Sequence, residues 1–291
     1  MAINNLYGRQ YEDNILLGVQ QLISKFREKC IVKTGVNGKS KAFGWIDSVD
    51  AREKTVRHAD TIFDDPGHNR ATAYLHYWYK SLMLDPDDQL KVIADAKSPY
   101  VQATLAAMRR RMDDTLIGAL NGSKYTGENG TTETVFNTSD YQVAADGSNI
   151  LPIGKILAAL EKFNDADVDE NEEKFLAIGP KQLTGLLNQE KLTSADYRTL
   201  KALTPGMVSE PVLGFKIVLT TRLAKSGNDR QCLAWAKSGV GLAIGQDIKA
   251  RVDEIQTKHY SFSTYASMFI GATRIEDAKV VRVLSDETKT S

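Results

Sequence analysis

The most regular hydrophobic pattern in the chain lies between Pro99 and Asn121. Its apolar positions recur every three or four residues and therefore share one face of an α-helix: Val101, Leu105, Met108, Met112, Leu116 and Leu120. Ser98 is a suitable N-cap, Pro99 suits the first helical position, and Gly122 ends the pattern. At ~1.5 Å per residue the helix would be about 35 Å long, about twice the average length. The pattern predicts a long structural helix.

Two further patterns precede this helix. Apolar side chains in residues 11–26 share one helical stripe and predict an amphipathic helix: Ile15, Leu16, Val19, Leu22, Ile23 and Phe26. Residues 31–79 contain short segments rich in Val, Thr, Phe and Trp that are separated by glycines, which predicts a long β-hairpin. Few apolar residues lie between 47 and 70, so the hairpin has little core of its own. We therefore expect it to lie against a partner.

Helices alternate with strands in the second half of the chain, which is typical of a compact α/β or α+β layer. The helices predicted there are 153–163, 180–188 and 194–203, and the strands are 174–178, 212–221, 231–244, 260–273 and 279–284. The sequence contains no internal repeat and no low-complexity tract.

Composition and charge narrow the function classes. The 291 residues include 37 Lys and Arg and 37 Asp and Glu, so the formal net charge is zero. This balance argues against a dedicated nucleic-acid binder, which needs a clustered excess of basic residues. No apolar run approaches the ~18 residues of a membrane-spanning helix, and no signal peptide is expected. The two cysteines, Cys30 and Cys232, exclude a disulfide scaffold. We expect a soluble intracellular protein without a membrane partner.

Three segments resemble known binding motifs but depart from them. Residues 38–40, Gly-Lys-Ser, lack the earlier glycine of a phosphate-binding P-loop, because Lys33 stands at that position. The glycines of 239–245 are spaced one residue too widely for a dinucleotide fingerprint. After the acidic segment 165–169, Glu170 replaces the glycine that a calcium loop requires. We therefore predict no catalytic residue and no cofactor.

One histidine cluster keeps an enzymatic alternative open. His58 and His68 flank Asp60, Asp64 and Asp65, and these five side chains could converge on a metal ion. None of the four histidines has a compact metal-binding spacing such as His-Glu-x-x-His. We predict no metal site, and an α/β enzyme with a His58/His68 metal site is the alternative from a different class.

The polar face of the long helix carries three consecutive arginines and two aspartates. Arg109 can pair with Asp113 and Arg110 with Asp114 at i, i+4 spacing, although such pairs contribute only a few tenths of a kcal/mol each. The triplet, which ends at Arg111, could instead bind phosphate or pair with a neighbouring subunit. We predict intrahelical ion pairs, with intersubunit pairs as the second choice.

Seven short phrases occur in a recognisable order along nearly the whole chain. They are Tyr11-Glu-Asp-Asn-Ile-Leu-Leu, Arg57-His-Ala-Asp-Thr61, Arg110-Arg-Met-Asp-Asp-Thr115, Gly179-Pro-Lys-Gln-Leu183, Leu192-Thr-Ser-Ala-Asp-Tyr197, Leu233-Ala-Trp-Ala-Lys-Ser-Gly239 and Ile270-Gly-Ala-Thr-Arg274. Together with the order of elements, they resemble the tailed-phage major capsid proteins with the Johnson fold, the Hong Kong-type phage coat fold. The resemblance implies an α+β fold with an N-terminal arm, an extended β-hairpin loop, a peripheral domain with a long spine helix, and an axial domain.

The resemblance also implies boundaries for these parts. They are an N-terminal arm at 1–34, an extended hairpin loop at 35–80, a peripheral domain at 81–145 with the spine helix at 99–121, an axial domain at 146–250, and C-terminal strands at 251–291 that return to the peripheral domain.

For the function, the resemblance implies a structural, non-enzymatic protein of the virion. Its copies would form hexamers and pentamers that close into an icosahedral shell around double-stranded DNA, after synthesis in the cytoplasm of a host bacterium. The first helix begins near residue 11, which leaves no room for the scaffolding segment that some relatives carry, so we expect a separate scaffolding protein. A portal and minor capsid or decoration proteins are further expected partners.

Basic residues near the arm are candidates for the inner, DNA-facing side of the shell: Lys25, Arg27 and Lys29. A nanocompartment shell of the same fold, which holds a cargo enzyme in place of a genome, is the closest alternative.

Overall fold

The computed structural model of the chain describes residues 20–58, 60–84, 97–144, 150–188 and 211–289. Within these ranges the helices are α1 (Lys97–Asn121), α2 (Thr138–Tyr141), α3 (Ile153–Asp165) and α4 (Pro180–Leu187). The strands are β1 (Ile31–Thr34), β2 (Ser40–Ile46), β3 (His68–Tyr74), β4 (His76–Leu84), β5 (Lys124–Thr126), β6 (Thr132–Thr134), β7 (Gln142–Val143), β8 (Lys174–Ile178), β9 (Phe215–Leu219), β10 (Lys225–Ser226), β11 (Asp229–Ala236), β12 (Val240–Ile255), β13 (Ser261–Arg274) and β14 (Val280–Asp286).

These strands form three sheets. The spine sheet has the order β1-β12-β13-β4, and α1 packs against it. The six-stranded sheet has the order β7-β14-β11-β8-β9, with β10 paired to β11. The hairpin sheet has the order β2-β3-β5-β6. Antiparallel pairing dominates, and the parallel pairs are β1 with β12, β7 with β14 and β8 with β9.

Helix α1 forms where the sequence pattern predicts it, because its apolar stripe fits the spine sheet. Met112, Leu116 and Leu120 are fully buried, and the helix packs along β13, β12 and β4. Burying a side chain of this size contributes about 1.5–3 kcal/mol of hydrophobic free energy. The stripe therefore fixes which face of α1 meets the sheet and leaves the polar face for other contacts.

Glycines in the spine sheet let the hairpin sheet lie directly on it. A Cβ atom at Gly241 would lie 2.7 Å from the ring of Phe43. A Cβ atom at Gly271 would lie 2.1 Å from the carbonyl oxygen of Tyr74. Only glycine leaves room for so close an approach of ring and backbone. The base of the hairpin is thereby fixed on the spine sheet.

The sheets divide the chain differently from the boundaries implied by the resemblance. Strand β4 extends past the hairpin end predicted at residue 80 and pairs with β13 in the spine sheet. Strand β12 crosses the boundary predicted at residue 250. Strand β14, expected with the peripheral domain, pairs with β11 in the six-stranded sheet. Pairing between residues that are far apart in the chain depends on the tertiary core, which local patterns do not encode.

Two local predictions also differ from the structure. Residues 20–26, the described part of the predicted helix 11–26, are not helical, and the remainder of that helix lies outside the described ranges. The reason is that a side chain of α1 binds backbone N–H groups of this segment, as shown below. The strand predicted over 231–244 is two strands, β11 and β12, separated by the 3-10 turn Lys237–Gly239. The helix predicted over 194–203 lies outside the described ranges.

One apolar core connects α1, the spine sheet and the six-stranded sheet. At its centre Trp235 of β11 stacks on Phe26, with ring centroids 5.4 Å apart, and its ring centroid lies 5.6 Å from that of Phe175 of β8. A smaller cluster around Phe43 and Leu75 lies at the base of the hairpin. In the described part of the chain, no helix has the length and apolar character needed to cross a membrane.

Candidate assembly surfaces

The hairpin loop, residues 47–67, joins β2 to β3 and exposes apolar side chains. Phe63 is 88% exposed and Ile62 is 67% exposed. The loop nevertheless has local order, because Arg52 donates two hydrogen bonds to the carboxylate of Asp64 at 3.0 and 2.5 Å. Exposed apolar side chains on an ordered loop are typical of a surface that becomes buried in an assembly.

Charge is unevenly distributed between the hairpin loop and the remainder of the chain. Residues 47–67 contain six carboxylates and three Lys or Arg side chains, so the loop carries a net charge of −3 with its histidine neutral. Because the whole chain is neutral, the remainder carries +3. An acidic loop on a chain whose remainder is net basic favours contact between the loop of one copy and basic side chains of another.

Three tyrosines lie on the exposed face of the spine sheet. The hydroxyls of Tyr77 on β4 and Tyr265 on β13 are 3.0 Å apart, and the rings of Tyr79 and Tyr265 stack with centroids 6.1 Å apart. Hydrogen bonds to Ser267 and Tyr265 lower the pKa of Tyr77. Tyr77 and Tyr79 are 53% and 68% exposed, so their rings are available to a partner.

Small side chains of β13 lie beside these tyrosines. Ser263 and Ser267 are buried at the level of the sheet, and Ser267 lies opposite Tyr79 of β4 and Lys249 of β12. Small, buried side chains therefore lie beside the large tyrosines on this face. We call Tyr77, Tyr79, Tyr265, Ser263 and Ser267 together the tyrosine face.

Two arginines of α1 bind the chain segment that precedes the first strand. Arg109 donates to the carbonyl oxygen of Leu22 at 2.6 Å. Arg110 donates to the side-chain oxygen of Gln20 at 2.7 Å. Their partners are therefore in the same subunit but outside the helix.

Asp113 binds the same segment from the next turn of α1. Its carboxylate is buried and accepts hydrogen bonds from the hydroxyl of Ser24 at 2.6 Å and from the side chain of Gln21. It also accepts from the backbone N–H of Lys25, at 3.1 and 3.2 Å, and from that of Phe26 at 3.4 Å. These hydrogen bonds satisfy two backbone N–H groups of a segment that belongs to no helix or strand.

Asp114 and Arg111, the remaining charged residues singled out on α1, also have partners outside the helix. Asp114 accepts two hydrogen bonds at 2.5 Å from the guanidinium of Arg222. The guanidinium of Arg111 lies 3.7 Å from the ring centroid of Trp78. The structure thus replaces the predicted intrahelical ion pairs with contacts to other elements, because an exposed i, i+4 pair contributes little. An intersubunit role for these residues stays a prediction.

The predicted inner-face cations also have partners within the subunit. Lys25 donates to the carbonyl oxygen of Leu219 at 2.7 Å, and Arg27 donates to the carboxylate of Asp247 at 3.1 and 2.5 Å. Lys29 donates to the carbonyl oxygen of Lys25 at 2.6 Å, and burial lowers its pKa. A DNA-facing role for these side chains stays a prediction.

Two arginines that the sequence analysis did not single out hold the end of α1, the fully buried Arg274 and the half-buried Arg282. Arg274 of β13 donates to the carbonyl oxygen of Gly122 at 2.7 Å, and Arg282 of β14 donates to that of Asn121 at 2.8 Å. Their guanidinium carbons lie 4.8 and 4.4 Å from the ring centroid of Phe136. Arg274 also donates to the carboxylate of Asp277, three residues later. The contacts of both arginines with the helix end carry no local sequence signal, because the carbonyl oxygens come from a distant part of the chain.

The sequence analysis also did not single out Glu287, whose carboxylate lies near the C-terminus. Glu287 accepts hydrogen bonds from Arg230 at 2.8 Å and from Lys225 at 2.9 Å, and its side chain is only 5% exposed. Burial alone raises the pKa of Glu287, but the hydrogen bonds from Arg230, Lys225 and Gln182 outweigh it and lower the pKa to about 2. In the sequence this residue belongs to a polar tail and carries no distinguishing pattern.

The histidine cluster does not form a metal centre. His58 lies in the hairpin loop, and His68 begins β3. Among the described residues, no three or more His, Cys, Asp and Glu side chains are placed to hold a metal ion. A polar cavity of about 480 Å³ at the hairpin base is lined by His68, Arg70, Lys124 and Asp277, and the Nζ of Lys124 lies 3.0 Å from a carboxylate oxygen of Asp277. The charges on this wall compensate one another.

The fold is that of phage capsid subunits. It combines a long helix on the spine sheet, a second layer formed by the six-stranded sheet, and a hairpin with an exposed loop. The capsid of cyanophage P-SCSP1u is similar, with 14% identity, a TM-score of 0.73, and coverage of 97% of this chain and 94% of that chain. The head of Helicobacter pylori bacteriophage KHP40 has 12% identity, a TM-score of 0.71 and 98% coverage of both chains. The capsid of Ralstonia phage GP4 has 9% identity and a TM-score of 0.72, with 97% and 95% covered.

The model of the phage capsid protein family matches residues 3–287, and the chain belongs to this family. No curated protein matches the sequence. The chain is a structural protein of the phage capsid. The predicted α+β Johnson fold is confirmed. The alternative of an α/β enzyme with a His58/His68 metal site is wrong, because the family is structural.

Proposed function

We propose that this chain forms hexamers and pentamers that close into an icosahedral shell around double-stranded phage DNA. The observation that supports this most directly is the hairpin loop, an ordered segment whose apolar side chains find no cover in their own subunit. A repeated head-to-tail contact closes into a shell when its geometry is curved. Arms and hairpins that reach a neighbour supply the large buried area of an obligate contact, of the order of 2,000–5,000 Å².

We infer that the hairpin loop of one subunit lies on the tyrosine face of a neighbour. The loop offers Ile62 and Phe63, and the tyrosine face offers exposed rings beside two buried serines. Aromatic rings and apolar anchors are the usual energetic centre of a protein interface. The loop is acidic, and the basic residue Lys249 lies opposite Ser267 of this face, which supports the same pairing.

In this assembly the parts of the subunit take the roles that the resemblance implies. The arm is 1–34, the hairpin 35–80, the peripheral domain 81–145, the axial domain 146–250 and the returning strands 251–291. The strand pairing supports two changes: β12 belongs with the spine sheet of the peripheral domain, and β14 belongs with the six-stranded sheet of the axial domain.

The proposal includes further partners. We expect a separate scaffolding protein, a portal, and minor capsid or decoration proteins, with synthesis and assembly in the cytoplasm of a bacterial host. The neutral net charge suits an inner surface that holds DNA weakly and without sequence preference.

Light scattering and negative-stain microscopy test the assembly, with the protein alone and co-expressed with neighbouring virion genes. Closed shells, tubes or capsomer rings are expected, and a stable monomer or dimer under both conditions would overturn the proposal. Shells that carry a protein cargo and no DNA in their natural host would instead establish the nanocompartment alternative.

Matched point variants test the role of the hairpin loop. Ile62→Ser with Phe63→Ser is expected to leave the melting temperature unchanged, because neither side chain packs in the subunit, and to abolish shell formation. Val135→Ser changes a side chain that is 70% exposed outside the loop and should assemble normally. Normal shells from the double variant, or an equal defect in Val135→Ser, would contradict the assignment.

A further inference from the structure

The C-terminal end of α1 is a junction between two sheets. Arg274 comes from the spine sheet and Arg282 from the six-stranded sheet, and both donate to carbonyl oxygens of the last turn of α1 or the residue after it. The helix end carries the negative end of the helix dipole, which favours these cations, and the carboxylate of Asp277 also accepts a hydrogen bond from Arg274. Arg274 is fully buried, and Phe136 lies against both guanidinium groups. This end of α1 therefore connects the two layers firmly.

A second connection lies further back along α1. We call residues 20–30 the strap. It is bound to α1 by Asp113, which accepts two backbone and two side-chain hydrogen bonds, and by Arg109 and Arg110. Asp113 precedes Asn121 by eight residues, which is about 12 Å along the helix axis.

The other side of the strap is bound to the six-stranded sheet. The ammonium group of Lys25 donates to the carbonyl oxygen of Leu219 at the end of β9. Phe26 stacks on Trp235 of β11, and the indole N–H of Trp235 donates to the carbonyl oxygen of Lys29 at 2.8 Å. The strap is thus held by α1 on one side and by the sheet on the other.

We propose that the strap is a latch that holds the six-stranded sheet at one angle to α1, with the Arg274–Arg282 junction as the pivot. Asp113 is the positioning residue that fastens the latch. When the strap is released, the sheet can rotate about the buried end of the helix. In a shell each copy repeats the subunit geometry, so this angle sets the local curvature.

The contacts indicate that the latch opens before the pivot. Residues 20–25, the part of the strap that precedes Phe26, contain no buried side chain, and Leu22 and Ile23 are 46% and 73% exposed, whereas Phe26, Cys30 and Arg274 are buried. Segments with few buried side chains open locally at much lower free energy than the core, so the strap opens first at residues 20–25. All the strap donors to Asp113 come from one short segment, so they are lost together.

Hydrogen–deuterium exchange of the full-length chain tests the fastening. In Asp113→Asn the exchange rates of the Lys25 and Phe26 amides are expected to rise at least about tenfold, while the amides of β11 stay protected. Asp114→Asn is the matched control, because it removes a neighbouring carboxylate that binds Arg222 and not the strap. Unchanged rates in Asp113→Asn, or equal increases in the strap and in β11, would overturn the latch.

Distance measurement between spin labels tests the rotation. Labels at Lys80→Cys on β4 and Lys181→Cys on α4 report the two layers. Every labelled chain also carries Cys30→Ala, because Cys30 lies in the strap and would become accessible when the strap is released, whereas Cys232 is buried in β11 and stays unlabelled. A broadened or shifted distance distribution is expected in Asp113→Asn and not in Asp114→Asn. If the strap amides of Asp113→Asn exchange fast but the distance distribution between the labels is unchanged, the proposed rotation about the pivot is refuted.

Ser24→Ala keeps the test decisive if Asp113→Asn does not fold. This variant removes one of the donors to Asp113 and should produce the same two changes at smaller amplitude. No change in either measurement would count against the latch. Both measurements are made on unassembled subunits, so their outcome is independent of whether shells form.

Discussion

The ring of Phe26 stacks on the indole of Trp235, with centroids 5.4 Å apart and planes inclined by 18°. Phe26 comes from the strap near the start of the chain, and Trp235 comes from the central strand of the six-stranded sheet. The pair buries the strap against that sheet and forms part of the main core. The core of this subunit is therefore closed by an N-terminal segment that has no secondary structure of its own at that point.

Phe26→Ala is expected to lower the free energy of unfolding by about 3–5 kcal/mol, because it leaves a cavity beside Trp235. Urea unfolding followed by tryptophan fluorescence measures the change. Ile23→Ala is the control, since Ile23 is 73% exposed in the same strap, and it should change the stability by less than about 0.5 kcal/mol. Equal losses in both variants would contradict the packing described here.

Gly271→Ala is expected to destabilise the chain by about 1–3 kcal/mol, because the added Cβ atom would meet the backbone of Tyr74. Gly118→Ala should have the opposite effect. Gly118 is an exposed position of α1 where a Cβ atom would have nothing within 4 Å, and alanine gains about 0.8–1 kcal/mol over glycine in a helix. Thermal unfolding of both variants checks the opposite signs, and a stable Gly271→Ala would show that the hairpin base is not fixed by close approach.

Glu287 gives the stability an acid-sensitive component. Its folded pKa of about 2 is below the ordinary value of 4.5, so its interactions stabilise the fold above about pH 4.5 and are lost as the pH falls towards 2. Glu287→Gln is expected to lose about 1–2 kcal/mol at pH 7, and the difference from the native chain should shrink as the pH is lowered from 4.5 to 3. Urea unfolding at each pH measures this, and a difference that does not depend on pH would contradict the prediction.

The two cysteines are expected to be inert in the folded chain. Burial raises the pKa of Cys30 and of Cys232 to about 12, so neither forms the reactive thiolate near neutral pH. A thiol reagent should modify fewer than one site per chain in native buffer and two sites in denaturant. Rapid modification of the native chain would show that the strap, which ends at Cys30, is open.

The local elements were predictable where a short pattern decides them. The stripe of α1, the strand Lys174–Ile178 and the helix that begins at Pro180 are observed close to their predicted positions. Their patterns suffice because side chains a few residues apart select helix or strand. The helix predicted for residues 11–26 is wrong for residues 20–26, which are not helical. Asp113 of α1 binds the N–H groups of Lys25 and Phe26 there.

The candidate contacts were less predictable than the elements. The sequence analysis singled out Arg109, Arg110, Asp113 and Asp114, but their spacing alone assigned them to one another. Their observed partners come from the strap and from Arg222, far away in the chain. Arg274, Arg282 and Glu287 were not singled out, because most of their partners come from distant segments.

By itself, the sequence determined the α+β class, the long helix, the acidic hairpin with little core of its own and, through its resemblance to phage coat proteins, the structural role. These properties follow from residue type and short spacing, which act through local backbone geometry and the burial of one face. Only the tertiary structure decided that β14 joins the six-stranded sheet, that the strap binds both layers, and that two arginines meet at the end of α1. Those contacts depend on how distant segments exclude water from the same core, and no short stretch of the chain encodes that.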